Sequence, residues 1–301
     1  MALRPDHDAR LDRARLALDG LSLGDAFGER FFVRDPEPLI EQRALPAAPW
    51  HYTDDTVMAL SIVEVLAEAG RIDQDALARG FARRYAAAPH RGYGGGAHHL
   101  LREICLGASW RDASPALFDG MGSLGNGGAM RAAPIGGYFA DEIEAVVAEA
   151  RASAEVTHAH PEGQAGAIAA ALAAAYAWRH RDDARAARGR ALLEHVLKHM
   201  PHGETAAGVA QALGLPEGCS VRLAASALGT GSRVTSMDTV PFALWCAAQH
   251  LDHFEEAMWT TVAGLGDRDT TCAIVGGIVA LAAPETIPEG FREAREPLDL
   301  A

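Results

Sequence analysis

Two short acidic clusters carry the residues in this sequence that are best suited to chemistry. Thr53-Asp54-Asp55-Thr56 is followed by the apolar run 57–60, and Asp267-Arg268-Asp269-Thr270 comes just before the apolar run 272–275. The simplest interpretation is a pair of helix caps, because Thr and Asp at a helix start accept hydrogen bonds from free backbone N–H groups. A cap needs one such residue, and each cluster supplies several. The clusters therefore predict two helix starts with surplus carboxylates.

Surplus carboxylates in an apolar setting are costly unless they are paired or hold cations. If the two helix starts meet in the fold, the carboxylates of both clusters repel one another, and divalent cations would offset the repulsion. Carboxylate and hydroxyl oxygens, without Cys or His, suit Mg²⁺ or Mn²⁺ better than zinc. The pattern predicts a magnesium or manganese site between two helices.

Glycine-rich segments are the second candidate for a binding function. Residues 119–137 combine many glycines with Ser123 and Asn126. Such a loop can cradle an anion or a sugar with its backbone N–H groups, although glycine also permits a tight crossover between helices. The loop 91–97 has no strand before it, so it fits a dinucleotide-binding fingerprint poorly. Both a ligand loop and a crossover remain open for residues 119–137.

Histidines give weaker signals. His158 and His160 precede a helical run and could contact a ligand, although such pairs are more often structural. His195 and His199 have the i, i+4 spacing of a zinc helix, but no Glu follows the first and no third ligand is evident. We expect both to be exposed to solvent.

The elements that must position these residues follow a helical period. Apolar residues recur at helical spacing over residues 8–23, and that run continues into a glycine-rich stretch in which Asp25 reads as a cap or a buried hydrogen-bond partner. Further helices are predicted over about 58–69, 73–87 and 162–179, and the tail from Pro284 onward is expected to pack peripherally. Because sustained β-branched alternation is missing, we predict an all-α fold.

Composition narrows the class of protein. Hydrophobic residues make up 49% of the 301 residues and charged residues 22%, which is typical of a globular protein. The net charge of −13 argues against nucleic acid and anionic membrane surfaces as partners. Four scattered cysteines without a C-x-x-C pair indicate a reducing compartment. The first eight residues lack a signal-peptide core, and the apolar runs are too short to span a bilayer, so we expect a cytoplasmic protein without a membrane partner.

Through these residues the sequence resembles the ADP-ribosylglycohydrolase family, which includes the dinitrogenase reductase-activating glycohydrolases. The resemblance runs in order over almost the whole chain. It rests on five motifs: Gly24-Asp25-Ala26-Phe27-Gly28, Thr53-Asp54-Asp55-Thr56, Gly125-Asn126-Gly127-Gly128-Ala129-Met130-Arg131, Thr157-His158, and Gly266-Asp267-Arg268-Asp269-Thr270 with the helix that follows it.

The resemblance implies one domain over residues 1–301, a compact multi-helix bundle with a binuclear metal cleft. It implies two divalent cations, Mg²⁺ or Mn²⁺, held by Thr53, Asp54, Asp55, Asp267, Asp269 and Thr270. It also implies an ADP-ribose site lined by Ser123, Gly125, Asn126, Gly127 and His158, with the loop 92–96 and its Tyr93 over it. One departure is that many members have a glutamate where Phe32 stands, with Glu29 closer to the motif.

The reaction implied is metal-dependent hydrolysis of the glycosidic bond between ADP-ribose and an acceptor such as arginine or serine in a protein. Asp54, Asp55 and Asp269 are the expected catalytic carboxylates of this hydrolase, a glycosidase, and the partner is an ADP-ribosylated protein or a small ADP-ribose conjugate. A catalytically silent ADP-ribose binder is the alternative. A helical HD-type phosphohydrolase fits less well, because only His7-Asp8 supplies its dipeptide.

Overall fold

The computed structural model describes residues 3–183 and 185–299, apart from the side chains of residues 185–187. All regular elements of these residues are helices, so the all-α prediction is confirmed. In chain order they are α1 His7–Glu29, α2 Glu37–Glu41, α3 Asp54–Ala69, α4 Gln74–Ala87, α5 Gly95–Cys105, α6 Trp110–Gly120, a 3-10 helix Asn126–Gly128, α7 Ala133–Tyr138, α8 Ile143–Glu155, α9 Pro161–Arg179, α10 Arg185–His199, α11 Glu204–Gly214, α12 Val221–Leu228, α13 Ser236–Gln249, α14 Phe254–Val262, α15 Arg268–Ala282, a 3-10 helix Pro284–Thr286 and α16 Glu289–Ala294.

Helices α1 and α15 form the central pair, and glycines let their backbones touch. A Cβ atom at Gly24 would lie 2.0 Å from the carbonyl oxygen of Cys272, and one at Gly28 would lie 2.3 Å from that of Arg268. Only glycine fits at such a distance. This approach places the end of α1, which carries Asp25, directly against the acidic start of α15.

Helix α9 is the alanine-rich helix that the sequence placed over residues 162–179. It runs over Pro161–Arg179 and is buried along Gly163–Ala177, apart from Gln164. Its small side chains let it pack against several neighbouring helices at once, including α7, α8, α13 and α15. The predicted ends of two other helices also agree with the structure, since α3 stops at a left-handed Gly70 and α4 stops at Ala87.

The chain end departs from the expectation of peripheral packing. Phe291 of α16 is fully buried and stacks on Phe27, with ring centroids 5.2 Å apart. Its ring also meets Trp50 edge-on at 5.1 Å. The backbone of Trp50 forms hydrogen bonds with the backbone of Ala294 and Glu296. The tail therefore fixes the segment that leads into α3. The prediction of peripheral packing was wrong because Phe291 is a single aromatic residue in a short polar segment, where no periodic pattern of apolar residues can be recognised.

One smaller prediction is also corrected. His195 and His199 are partly buried rather than exposed, because the His195 ring packs beside Tyr176 at 5.3 Å. The segment before α3 contains the short helix α2. Among the described residues, no helix combines the length and the apolarity that crossing a bilayer requires.

Candidate functional site

A cavity of about 720 Å³ lies where the starts of α3 and α15 meet the glycine-rich loops. Acidic side chains form one wall: Asp54, Asp55, Asp267 and Asp269, with Thr270. Further lining comes from the segment 121–127, from Thr157 and His158, and from the loop 233–235. The two acidic clusters predicted from the sequence therefore share one cavity with the glycine loop of residues 119–137.

The side chain of Asp25, a residue of α1, caps the start of α3. Its carboxylate accepts hydrogen bonds from the backbone N–H groups of Thr53, at 2.9 Å, and Thr56, at 3.1 Å. It also accepts from both threonine hydroxyls, at 2.8 and 2.5 Å. Thr53 itself makes no side-chain cap bond to its own helix. Because a residue of α1 satisfies the helix start, Asp54 and Asp55 are not needed as caps.

The two carboxylates at the start of α3 are buried and face other acids. Burial raises the pKa of Asp54 to about 7, with a further contribution from the charge of Asp25. Burial also raises the pKa of Asp55 well above its ordinary value, and the charges of Asp25 and Asp269 add to this effect. The Oδ2 atom of Asp55 lies 2.9 Å from the hydroxyl oxygen of Thr53, whereas its buried Oδ1 atom has no hydrogen-bond partner.

The start of α15 contributes the second pair of acids. Asp267 accepts a hydrogen bond from the side-chain amide of Asn126 at 2.6 Å, and that amide also reaches the Thr239 hydroxyl at 3.0 Å. Asp269 accepts from the backbone N–H of Thr270 at 2.8 Å. Burial, followed by repulsion from Asp267, raises the pKa of Asp269 well above its ordinary value. Asn126 therefore links the acidic wall to the glycine loop.

The donor set fits a hard divalent cation. Its oxygen atoms are carboxylate and hydroxyl oxygens, and the orphaned Oδ1 of Asp55 is a buried acceptor that lacks a positive partner. No three His, Cys, Asp or Glu side chains of residues 3–183 and 185–299 already stand as a ready ligand set. We therefore expect small side-chain rotations on cation binding.

The predicted ligand-binding residues Ser123, Gly125, Gly127 and His158 all line the cavity. The Ser123 hydroxyl accepts from the backbone N–H of Gly125 at 3.2 Å. The His158 ring lies against both glycines, because a Cβ atom at either would come within 3.3 Å of its Nε2 atom. The predicted ligand loop and the predicted histidine are therefore neighbours in space.

Two predicted residues stand behind the cavity wall. Thr53 is not among the residues that line the cavity, since its hydroxyl points to Asp25 and Asp55. Tyr93 is buried and contacts the rings of Tyr85 and His98 edge-on. The glycines beside it, Gly92 and Gly94–Gly96, do line the cavity.

Phe32, which stands where many family members have glutamate, lies on the surface with 48% of its area exposed. The Arg268 guanidinium sits over its ring at 4.8 Å. Glu29 is half-buried, and burial, with the charge of Asp25, raises its pKa. The position of Phe32 thus supplies no carboxylate to the acidic wall.

Several cavity residues had no role in the sequence analysis. Arg131 is fully buried beneath the glycine loop, although it belongs to a motif that the sequence displayed. Phe118, Met121 and Val234 are large apolar residues that are more than half exposed, and all three line the cavity. Exposed apolar residues in polar loops carry no periodic signal, so only the fold reveals them.

Fold and site define a class: an all-helical protein in which two acidic helix starts face a glycine-rich ligand wall across one cavity. The sequence model described as ADP-ribosylglycohydrolase matches residues 6–300. The chain belongs to the ADP-ribosylglycohydrolase family, as its motifs predicted.

Relatives agree with this assignment. The human protein named ADP-ribosylhydrolase ARH3 is 30% identical over 338 residues, which cover 95% of this chain and 90% of the human one. The Bos taurus protein of the same name is 31% identical over 334 residues, covering 95% and 89%. The Serratia proteamaculans ADP-ribosylarginine hydrolase Tri1 is 29% identical over 168 residues, which cover 52% of this chain and 44% of Tri1.

A solved structure titled ADP-ribosylglycohydrolase-related protein complex shares the fold. Its TM-score is 0.63 at 23% sequence identity, and the match covers 96% of this chain and 94% of the solved one. The likeness extends over the whole bundle, so it supports the helical architecture of the family.

Proposed function

We propose that this protein is a hydrolase that cleaves the glycosidic bond between ADP-ribose and an acceptor and releases ADP-ribose, with Mg²⁺ or Mn²⁺ as its cofactor. The observation that carries the proposal is the meeting of two paired-Asp helix starts in one cavity with a glycine-rich wall. The names of the relatives support the substrate class.

Two divalent cations would be held by the acidic wall: Thr53, Asp54, Asp55, Asp267, Asp269 and Thr270. When bound, such ions bind ribose hydroxyls and lower the pKa of a water molecule. The orphaned oxygen of Asp55 and the raised pKa values of the buried acids support this assignment, because both features disappear when positive charge enters.

Different residues of the cavity would bind different parts of ADP-ribose. Asn126, held by Asp267 and Thr239, and the N–H groups of the glycine loop orient the polar part of ADP-ribose. The exposed rings and side chains of Phe118, Met121 and Val234 offer an apolar surface to the flat adenine base.

Hydrolysis of this bond passes through an oxocarbenium-like state, and a carboxylate must accept the proton of the attacking water. Asp54, Asp55 and Asp269 are the candidate acceptors, and they line the cavity together with Asp267. Asp54, Asp55 and Asp269 therefore act both as ion ligands and as candidate proton acceptors.

The test is release of free ADP-ribose from arginine-linked and serine-linked ADP-ribosyl peptides and from a small ADP-ribose conjugate. Each is assayed with Mg²⁺, with Mn²⁺ and with chelator. We expect metal-dependent release from at least one of these conjugates. Metal-dependent ADP-ribose binding without release from any of them would instead support a catalytically silent binder, for which the exposed Phe32 is the specific observation.

A further inference from the structure

A buried hydrogen-bond chain runs from Arg131 through Thr157 to His158. The Nη2 atom of Arg131 donates to the Thr157 hydroxyl oxygen at 2.7 Å, and that oxygen lies 2.7 Å from Nδ1 of His158. Arg131 is fully buried, and Thr157 and His158 are 4% and 9% exposed. The chain of bonds is therefore shielded from exchange with bulk water.

The position of Arg131 is fixed by further contacts. Its Nη1 atom donates to the carbonyl oxygen of Gly127 at 2.8 Å, and its Nη2 atom also reaches the carbonyl oxygen of Ser153 at 3.2 Å. The guanidinium stacks over Phe81 at 4.6 Å. Burial lowers the pKa of Arg131 to about 9, so it stays protonated at neutral pH and can only donate.

Proton counting sets the direction of the second bond. The Thr157 hydroxyl has one proton, and its oxygen already accepts from Arg131. The proton has two possible acceptors, Nδ1 of His158 at 2.7 Å and the carbonyl oxygen of Ala154 at 3.4 Å. Since 3.4 Å exceeds the usual range for an O–H donor, the proton goes to Nδ1. A neutral imidazole that accepts at Nδ1 carries its own proton at Nε2.

His158 lines the cavity, and its Nε2 atom lies beside Gly125 and Gly127, which line it too. A Cβ atom at Gly127 would lie 3.2 Å from it, and one at Gly125 would lie 3.3 Å from it, so the absence of side chains there keeps the space in front of the ring free. Burial, and then the charge of Arg131, lowers the pKa of His158 to about 3. The ring is therefore neutral over the physiological range.

We propose that Arg131 and Thr157 are positioning residues that fix His158 as the Nε2–H tautomer, so that it presents a standing hydrogen-bond donor to an oxygen atom of the ligand above Gly125 and Gly127. The identity of that ligand, ADP-ribose, rests on the proposed function. In this role His158 binds and orients the ligand and does not act as a general base, since the nitrogen that is not bonded to Thr157 already carries a proton.

The tautomer is measured directly by ¹⁵N nuclear magnetic resonance of the full chain labelled at histidine, without ligand. His158→Gln identifies the His158 signals among those of the 13 histidines by their loss. We expect a non-protonated Nδ1 and a protonated Nε2 in the wild type. A protonated Nδ1 would overturn the proposal.

Two variants at Thr157 separate positioning from packing. Thr157→Val keeps the shape and removes the hydroxyl, whereas Thr157→Ser keeps the hydroxyl. We expect Thr157→Val to lose the fixed tautomer and to bind ADP-ribose about tenfold more weakly, as the loss of one oriented hydrogen bond implies. Thr157→Ser should retain both properties. Near-ultraviolet circular dichroism checks that each variant is folded.

The other possible results distinguish failure of the positioning role from failure of the proposed function. A folded Thr157→Val protein with the wild-type tautomer and affinity would contradict the positioning role. Wild-type protein with the expected tautomer but no affinity for ADP-ribose would contradict the proposed function and leave the tautomer assignment standing. The two proposals therefore fail in different measurements.

Discussion

At the scale of single residues, Asp25 has a structural role, whereas Asp55 is assigned to cation binding. Asp25 accepts four hydrogen bonds at the start of α3, from the backbone and hydroxyl of Thr53 and of Thr56. Asp55 has a buried oxygen without a hydrogen-bond partner. A carboxylate without a partner in a buried site is costly, and this cost explains why we assign Asp55 to cation binding.

Loss of one ligand carboxylate should abolish turnover without unfolding the protein. We expect Asp269→Asn to lower the rate of ADP-ribose release by at least about a thousandfold, since it removes both a cation ligand and a candidate proton acceptor. Asp12→Asn, which removes a surface charge with 76% of its side chain exposed, is the matched control. Asp269→Asn protein with the wild-type rate would refute the role of this carboxylate.

Cation binding should depend on pH in one direction. The pKa of Asp54 lies near 7 and those of Asp55 and Asp269 are also raised, so all three bind protons more tightly than ordinary carboxylates, and Asp54 does so close to neutral pH. A cation must displace those protons. The affinity for Mn²⁺ should therefore fall several-fold between about pH 8 and about pH 6, with proton release on binding.

Calorimetric titrations in buffers with different ionisation enthalpies measure the affinity and the released protons together. Equal affinity at both pH values, with no proton release, would contradict the raised pKa values. Carboxylates whose pKa is lowered by ion pairs would keep their charge well below pH 6, so their affinity for Mn²⁺ would not change over this range.

The residue types in the sequence predicted much of this site, but they did not predict the hydrogen bonds between its residues. Paired Asp and Thr before two apolar runs predicted the acidic wall, and glycines with Ser123 and Asn126 predicted a ligand loop. The role of Arg131 was invisible, because its partners at Gly127, Ser153 and Thr157 converge only in the fold. The metal ligands and the catalytic residues stay predictions.

At the scale of elements, the contact between α1 and α15 sets the distance between the acids. The glycines of α1 bring its backbone against α15, as at Gly24 and Cys272. The sequence indicated close approach at these glycines. It did not reveal that their partner lies some 250 residues away, because a close backbone contact needs only the absence of a side chain and leaves no pattern in the partner.

Substitution at this contact should be costly. Gly24→Ala would place a methyl group 2.0 Å from the carbonyl oxygen of Cys272, so the helices must separate. We expect a loss of about 1–3 kcal/mol in the free energy of unfolding, as for overpacked cores. Gly214→Ala, where nothing lies within 4 Å, is the control and should be near neutral. Urea unfolding measures both variants, and equal stability would show that α1 and α15 can shift freely.

At the scale of the whole molecule, buried apolar residues form one continuous cluster from Leu11 to Ala294 in the described residues. The helical class could be predicted, since helical spacing recurs and β-branched alternation is missing. The place of the chain end could not, since α16 has only six residues and too few positions to show a period. The single domain over residues 1–301 stays a prediction.

The chain end should contribute strongly to stability. Phe291→Ala removes a fully buried ring that contacts Phe27 and Trp50, and such deletions cost about 3–5 kcal/mol. Leu106→Ala, at a residue with 78% of its area exposed, is the control. Thermal unfolding should show a clear drop for Phe291→Ala alone. Equal melting temperatures would mean that the tail is peripheral after all.

The central claim is that two acidic helix starts together hold the divalent cations of an ADP-ribosyl hydrolase. The most direct measurement is the number of Mn²⁺ ions bound by metal-free wild-type protein and by Asp55→Asn, determined by calorimetric titration at about pH 8. The account predicts two ions per wild-type chain and fewer in the variant. Absence of Mn²⁺ and Mg²⁺ binding by the wild type, with ADP-ribose still released in chelator, would contradict it.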